Sequence, residues 1–229
     1  SNAIMHNHSV SVSGGTDKSQ YYGSLSAMFD PGWTLDSKVQ RYTANLNFTH
    51  NISKKLSVNL IGNASYRKQK APGTLSSDTD PVTGTVKRDF DINPYSYALN
   101  TSRALDAHTF YTRSYAPFNI FSELNNNYID LAVHDFRISG SIDYKPTSKL
   151  KFTFLAAVKS AATSQEHNIL DNSNQALAYR EMGTSTIRKT NPFLYKDPDH
   201  IYDLPITVLP YGGIYERTDN SSFGWDTRL

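Results

Sequence analysis

"RYTANLNFTHNISKKLSVNLIGNASY", residues 41–66, decides the fold. Tyr42, Ala44, Leu46 and Phe48 alternate with Arg41, Thr43, Asn45, Asn47 and Thr49. After a break at Asn51-Ile52-Ser53-Lys54, Leu56, Val58, Leu60, Ala64 and Tyr66 alternate with Ser57, Asn59, Asn63 and Ser65. Successive strand side chains point to opposite faces, so a period of two gives each strand one apolar and one polar face. The stretch predicts two antiparallel strands joined by a short turn. Their apolar face needs a non-aqueous neighbour, either a protein interior or lipid, and the rest of the chain discriminates between the two.

Upstream, residues 8–14 place Val10 and Val12 opposite Ser9, Ser11 and Ser13, and residues 20–29 carry Tyr21, Leu25, Ala27 and Phe29 in one phase. Gly14-Gly15-Thr16-Asp17-Lys18 has turn chemistry between them, and Asp30-Pro31-Gly32 ends the second strand. Downstream, residues 128–145 put Phe136, Ile138, Ile142 and Tyr144 on one face and Asp135, Arg137, Ser139, Ser141 and Asp143 on the other. Ile129, Leu131 and Val133 fall in the opposite phase, which predicts a β-bulge near His134. Lys145-Pro146-Thr147-Ser148 turns into residues 149–160, with Leu150, Phe152, Phe154, Ala156 and Val158 in phase, and a last strand carries Phe223, Trp225 and Leu229.

The expected fold is therefore all-β, an antiparallel meander of about seven strands with two long loops, about 67–127 and 164–210. Antiparallel order puts the turns at 14–19, 51–54 and 145–148 at one end and the connections 30–38, 67–127 and 164–210 at the other. Short turns at one rim and long loops at the opposite rim is the arrangement of outer-membrane barrels. Ser, Thr and Asn dominate the polar face, as suits a wet lumen. Aromatics near strand ends, such as Tyr42, Phe48, Tyr66, Phe136 and Tyr144, suit interfacial girdles. A soluble secreted β-sandwich that binds glycans or mediates adhesion would alternate too, and stands as the alternative.

Composition agrees with β structure and narrows the function. The chain has 229 residues, 12% aromatic content, a formal charge of +2 and no Cys, with a mean hydropathy of -0.52. No stretch approaches the roughly 18–20 continuous apolar residues of a spanning helix, whereas a spanning strand needs only about 9–11 residues, every second one apolar. Lack of Cys excludes disulfide and thiolate chemistry, and the absence of a basic block argues against a nucleic-acid groove. Ser1-Asn2-Ala3 reads as the remnant of a cleaved expression tag, leaving 4–229 as the native segment, and no signal peptide opens it.

Several stretches, in succession, resemble one family. HNHSVSVSGGTDKSQYYGSLSAMFDPG is similar to the first barrel strands of the SusC/RagA-like TonB-dependent outer-membrane transporters, and RYTANLNFTHNISKKLSVNLIGNASY to the hairpin that follows. NPYSYALNTSRAL resembles the next loop segment of that family, and LPYGGIYERTDNSSFGW a later stretch leading into another strand. The resemblance implies a bacterial outer-membrane location and a plugged barrel of roughly 22 strands. It further implies energy coupling through TonB and import of an oligosaccharide or peptide captured with a SusD-like surface lipoprotein. No plug or TonB-box segment is recognisable and the chain stops inside a strand, so a partial segment of such a barrel is expected. Its lipid-facing side chains Leu46, Phe48, Leu60, Phe152 and Phe154 are expected to be covered by partner chains or by its own loops.

Candidate chemistry is binding rather than catalysis. No nucleophile elbow, phosphate-binding loop or zinc-protease helix occurs, so no enzymatic residues are assigned, and no cofactor is implied. Of the seven His, His6 and His8 sit at a start expected to fray and His50, His108, His134, His167 and His200 lack ligand spacing, and Asp78-Thr79-Asp80 and Asp197-Pro198-Asp199 read as turn-forming acids rather than calcium loops. The first long loop is rich in aromatics: Phe90, Tyr95, Tyr97, Phe110, Tyr111, Tyr115, Phe118 and Phe121. Most are expected to pack the loop onto itself. Rings beside Asn, Asp and Arg also stack on sugars or grip peptide side chains, which nominates Tyr95, Tyr97, Arg103, Tyr111 and Tyr115 as ligand-binding residues.

Overall fold

The computed structural model describes residues 4–32, 35–73, 77–79, 86–88, 92–181, 188–189, 191–203 and 205–229. Its strands in chain order are β1 (His6–Gly15), β2 (Ser19–Asp30), β3 (Lys38–Ser53), β4 (Leu56–Pro72), β5 (Ser77–Thr79), β6 (Val86–Arg88), β7 (Tyr111–Arg113), β8 (Ala116–Phe118), β9 (Asn127–Thr147), β10 (Leu150–Ile169), β11 (Leu194–Tyr195), β12 (Ile206–Thr207) and β13 (Ile214–Arg228). Short helices lie in the long connections: α1 (Pro94–Asn100), α2 (Ile120–Asn126) and α3 (Asn174–Glu181). Seven strands form one antiparallel meander in the order β1-β2-β3-β4-β9-β10-β13.

Register turns the period-two pattern of each strand into two continuous surfaces. Val10, Leu25, Ala44, Ala64, Phe136, Ser160 and Phe223 are successive cross-strand partners in one row. One residue along, Ser9, Ser26, Thr43, Ser65, Asp135, Ala161 and Ser222 form a row on the opposite face. A slip of a single residue anywhere would exchange the faces, so register here is set by the side chains themselves. Tyr42 stacks on Tyr66 at 6.3 Å and Tyr66 lies 4.7 Å from His134, a cross-strand aromatic row at one margin of the apolar face.

Connections sort by length as the sequence implied. Residues 16–18, 54–55 and 148–149 make the turns at one end, and 31–37, 73–126 and 170–213 make the connections at the other. Both long connections are shifted from their expected bounds, because β4 continues to Pro72 and β10 to Ile169. Arg67–Pro72 pairs with Tyr128–Val133, and Ser164–Ile169 with Ile214–Asp219, so backbone pairing outlasts the side-chain alternation.

The bulge expected near His134 is absent. Tyr66 pairs with His134 and His134 with Ala162 in unbroken register, and the irregularities fall at Asn51/Ser53 and Leu150/Phe152, beside the short turns. Ile129, Leu131 and Val133 change face relative to Phe136 because the two faces exchange character at this height. The apolar-face residues beside them are Asp130, in a row with Lys70 and Glu166, and Ala132, in a row with Lys68 and Ser164.

Packed side chains collect at the long-loop end. One cluster joins Ile92, Phe118, Ile120 and Leu124, and a second joins Ala116, Ile169, Ala176, Ala178, Tyr179 and Ile214. By contrast Leu46, Phe152 and Phe154 are 43–47% exposed and Trp225 is 71% exposed. The described parts of the chain's own loops therefore leave the apolar face open, because they fold onto one another beyond the strand ends. A sandwich would need a second sheet on that face, but the other described sheets are pairs of strands two or three residues long.

Close approach at the root of β13 demands glycine. A Cβ on Gly213 would sit 2.1 Å from the Ile169 carbonyl oxygen, whereas one on Gly224, within β13, would meet nothing within 4 Å. Gly213→Ala is expected to cost about 1–3 kcal/mol or more and Gly224→Ala close to nothing. Urea-unfolding midpoints of the two variants check the contrast.

Candidate functional site

The long loops are built around a few side chains that satisfy backbone. Asn119 caps α2, its Oδ1 accepting from the N–H groups of Phe121 and Ser122 at 3.0 Å each, while its Nδ2 donates to the Ala107 carbonyl at 2.8 Å. Phe118 then anchors the first loop: Tyr111 packs at 5.4 Å, Tyr97 at 6.1 Å, and the Arg113 guanidinium lies 4.7 Å from its ring centroid. Burial beside Tyr97 raises the Tyr111 phenol above its ordinary pKa.

Of the five nominated residues, the structure brings two into one cavity. Tyr97 and Arg103 line a space of about 250 Å³ together with Leu35, Leu105, Ile120 and Phe121. Ligand clefts run to about 300–1,000 Å³, so this one has room for a single side chain or sugar ring rather than a whole bulky solute. Tyr111 belongs to the Phe118 cluster, while Tyr95 (55% exposed) and Tyr115 (67% exposed) stand in solvent. Tyr115 occupies a left-handed backbone position, φ 66°, in the β7–β8 turn. Phe90 and Asp80 lie outside the described residues.

Sequence reading missed a buried polar network that ties both loops to the sheet. Asn127, fully buried at the start of β9, donates through Nδ2 to the Gln175 Oε1 at 2.9 Å, and its Oδ1 meets the His167 Nε2 at 2.8 Å. The Asn174 N–H donates to the Glu123 carboxylate at 2.6 Å, and the Asn174 Nδ2 donates to the carbonyls of Arg113, Ala116 and Pro117 at 2.9–3.2 Å. The roots of the two loops bond to the same spot, Gly73 N–H to the Asn127 carbonyl at 2.9 Å and Leu170 N–H to the Asn126 carbonyl at 2.7 Å. A Cβ on Gly73 would lie 1.8 Å from the Asn127 Oδ1, so only glycine fits there. These partners are 40 or more residues apart, and no local pattern marks them.

Burial sets the protonation of the network. Desolvation raises the Glu123 pKa, against the Asn174, Asn127 and Gln175 hydrogen bonds and the Arg113 charge. Desolvation lowers the His167 pKa, against Glu216, whose Oε2 lies 3.7 Å from its Nδ1. Elsewhere, Asp197 accepts from the Asp199 N–H at 2.9 Å and pairs with His200 at 2.8 Å, the turn-forming role its sequence implied.

No family model matches the chain, and no curated protein matches it. Among solved structures it is similar to the RagAB peptide transporter, at 16% identity and a TM-score of 0.53, and to the RagAB peptide importer in the open-open state, at 17% identity and 0.55. Each match covers 75% of this chain and 19% of the other, so the chain corresponds to about a fifth of those proteins' length. At such identity the likeness bears on the fold alone: about three-quarters of this chain is arranged as a stretch of those proteins is.

The two shifted groups pull in opposite directions with pH. His167, depressed in the fold, contributes stability above its unfolded value of about 6.5 that is lost as pH falls through its folded value. Glu123, raised in the fold, contributes stability below its unfolded value of about 4.3 that is lost as pH rises through its folded value. Amide-exchange protection factors of residues 119–127, taken relative to the intrinsic exchange rate at each pH, are expected to fall on acidification below about pH 6.5, and His167→Gln to flatten that arm while Glu123→Gln flattens the other.

Proposed function

We propose that this chain is part of a bacterial outer-membrane β-barrel transporter of the SusC/RagA-like, TonB-dependent kind, importing bulky nutrients. In this reading the apolar face meets lipid, the Ser, Thr and Asn rows line a wet lumen, and the long loops face the cell exterior. The loops capture an oligosaccharide or peptide together with a SusD-like surface lipoprotein. The lumen wall passes it on by hydrogen bonding, and TonB supplies the energy through parts of the protein outside this chain. No covalent chemistry or cofactor is involved.

The observation that carries the reading is an apolar surface shared by seven strands with no protein layer over it among the described residues. Apolar-face residues stay apolar, aromatic or small from Phe136 to Tyr144 on β9. At about 3.4 Å per residue and a tilt of about 40°, that run gives roughly 20 Å of height, close to the band of a spanning barrel. Likeness in fold to two transporter structures points the same way. The loop-end cavity with Tyr97 and Arg103 is proposed as a subsite for one side chain or ring of the solute.

Substitution on the two faces tests the lipid assignment. In the intact protein, Leu46→Arg is expected to lower folding stability in bilayers by about 2–4 kcal/mol, and Asn45→Lys on the opposite face by well under 1 kcal/mol. Equal effects would contradict it. Solute uptake by the full-length parent, with and without residues 85–120, tests capture, and Arg103→Ala is expected to raise the half-saturating solute concentration severalfold with barrel assembly unchanged. Unchanged uptake by both variants would remove the loop from the mechanism.

A further inference from the structure

Directly beyond the aromatic row, the apolar face turns cationic on β3 and β4. Tyr42 pairs with Tyr66, and the next two apolar-face rows pair Gln40 with Lys68 and Lys38 with Lys70. Lys38 and Lys68 are exposed, and none of the three lysines has a carboxylate within 4 Å among the described residues. The Lys70 ammonium lies 4.1 Å above the Tyr128 ring, with Asp130 opposite it in the ladder and Glu166 next in that row, on β9 and β10. Three cations on adjacent strands repel one another, and an exposed cation beside an apolar surface attracts an anion held at the same boundary.

Immediately on the other side of the aromatic row lies a groove of about 760 Å³. Ala44 and Ala64 floor it, and Val10, Tyr42, Tyr66 and Phe136 stand around it, with His8 and His134 at the margin. The groove opens onto the exposed apolar band, so its occupant enters sideways from whatever covers that band rather than from bulk water. Its shape calls for a flexible apolar chain, and the lysines call for a negative group joined to that chain within about 7–13 Å, the span of two to four strand residues.

We infer that this surface is a specific site for a membrane lipid with a phosphate-bearing headgroup, one acyl chain lying in the groove and the phosphate oxygens meeting Lys38, Lys68 and Lys70. The inference rests on the membrane reading above and adds to it a fixed place, ligand chemistry and leaflet: the leaflet on the long-loop side. Charge complementarity selects the anionic lipid over a neutral one, and continuity of the groove with the exposed band selects a lipid over a soluble partner. The site also gives a physical reason for lysines clustered just past the aromatic margin, where a phosphate layer would lie.

The test uses the intact protein inserted into phosphatidylcholine vesicles with or without about one-tenth phosphatidic acid, followed by native mass spectrometry of retained lipid. Wild-type protein is expected to retain phosphatidic acid over phosphatidylcholine. The K38Q/K68Q/K70Q variant is expected to insert normally and to lose that preference by about tenfold or more. Ala64→Phe, which fills the groove and leaves the lysines in place, is expected to lose retention as well. Equal retention of both lipids by the wild type, or full retention by the triple variant, would overturn the site while leaving the membrane reading intact. Displacement of the lipid by a short polyglutamate peptide would overturn it in favour of a protein partner. Failure of the wild type to insert into either vesicle would bring down the membrane reading and this site with it.

Discussion

A single sheet with every interior strand hydrogen-bonded on both sides, and one face that none of the described residues covers, imposes the constraint from which the rest follows. Backbone pairing satisfies the peptide groups of β2, β3, β4, β9 and β10 without help from a second layer. Side chains on the Phe136 face have no such internal solution, since the loops and helices gather at one end. About 25 cal/mol per Å² of apolar surface is at stake, so an uncovered face of this extent needs a non-aqueous neighbour supplied from outside. A bilayer supplies one on the condition that no backbone edge meets it, which a closed barrel fulfils.

The loop end is organised by the opposite logic. Alongside its apolar clusters it buries a polar network: Asn119, Glu123, Asn127, His167, Asn174 and Gln175 are each 5% exposed or less. Leaving one such group unpaired costs about 1–3 kcal/mol, so Asn127 and Asn174, with several partners each, fix where both loops leave the sheet. Beyond this bonded root, Tyr95, Phe110 and Tyr115 are left exposed.

Legibility in the sequence followed this division. Strand identity, order and facing could be read from residues 41–66 and their counterparts, because a period of two is local and needs no partner to be seen. The same rule misled at His134. There the apolar phase changes because the face turns polar beyond the Tyr42-Tyr66-His134 row, and side-chain pattern alone does not distinguish that from an inserted residue. Strand ends at Pro72 and Ile169 were invisible for the related reason that ladder hydrogen bonds belong to the backbone. Among the aromatics, Tyr97 and Tyr111 are indistinguishable from Tyr95 and Tyr115 by type or spacing. Only the fold separates those that pack on Phe118 from those left in solvent.

Because the chain has no native cysteine, single cysteines can report the surroundings of each position in turn. Spin labels placed one at a time from residue 42 to residue 48 in the intact, bilayer-reconstituted protein measure contact with dissolved oxygen in lipid against contact with a water-soluble nickel chelate. Strict alternation is expected, with Tyr42, Ala44, Leu46 and Phe48 reporting hydrocarbon and Thr43, Asn45 and Asn47 reporting water. Even-numbered positions shielded from both reagents, or open to the chelate, would contradict it.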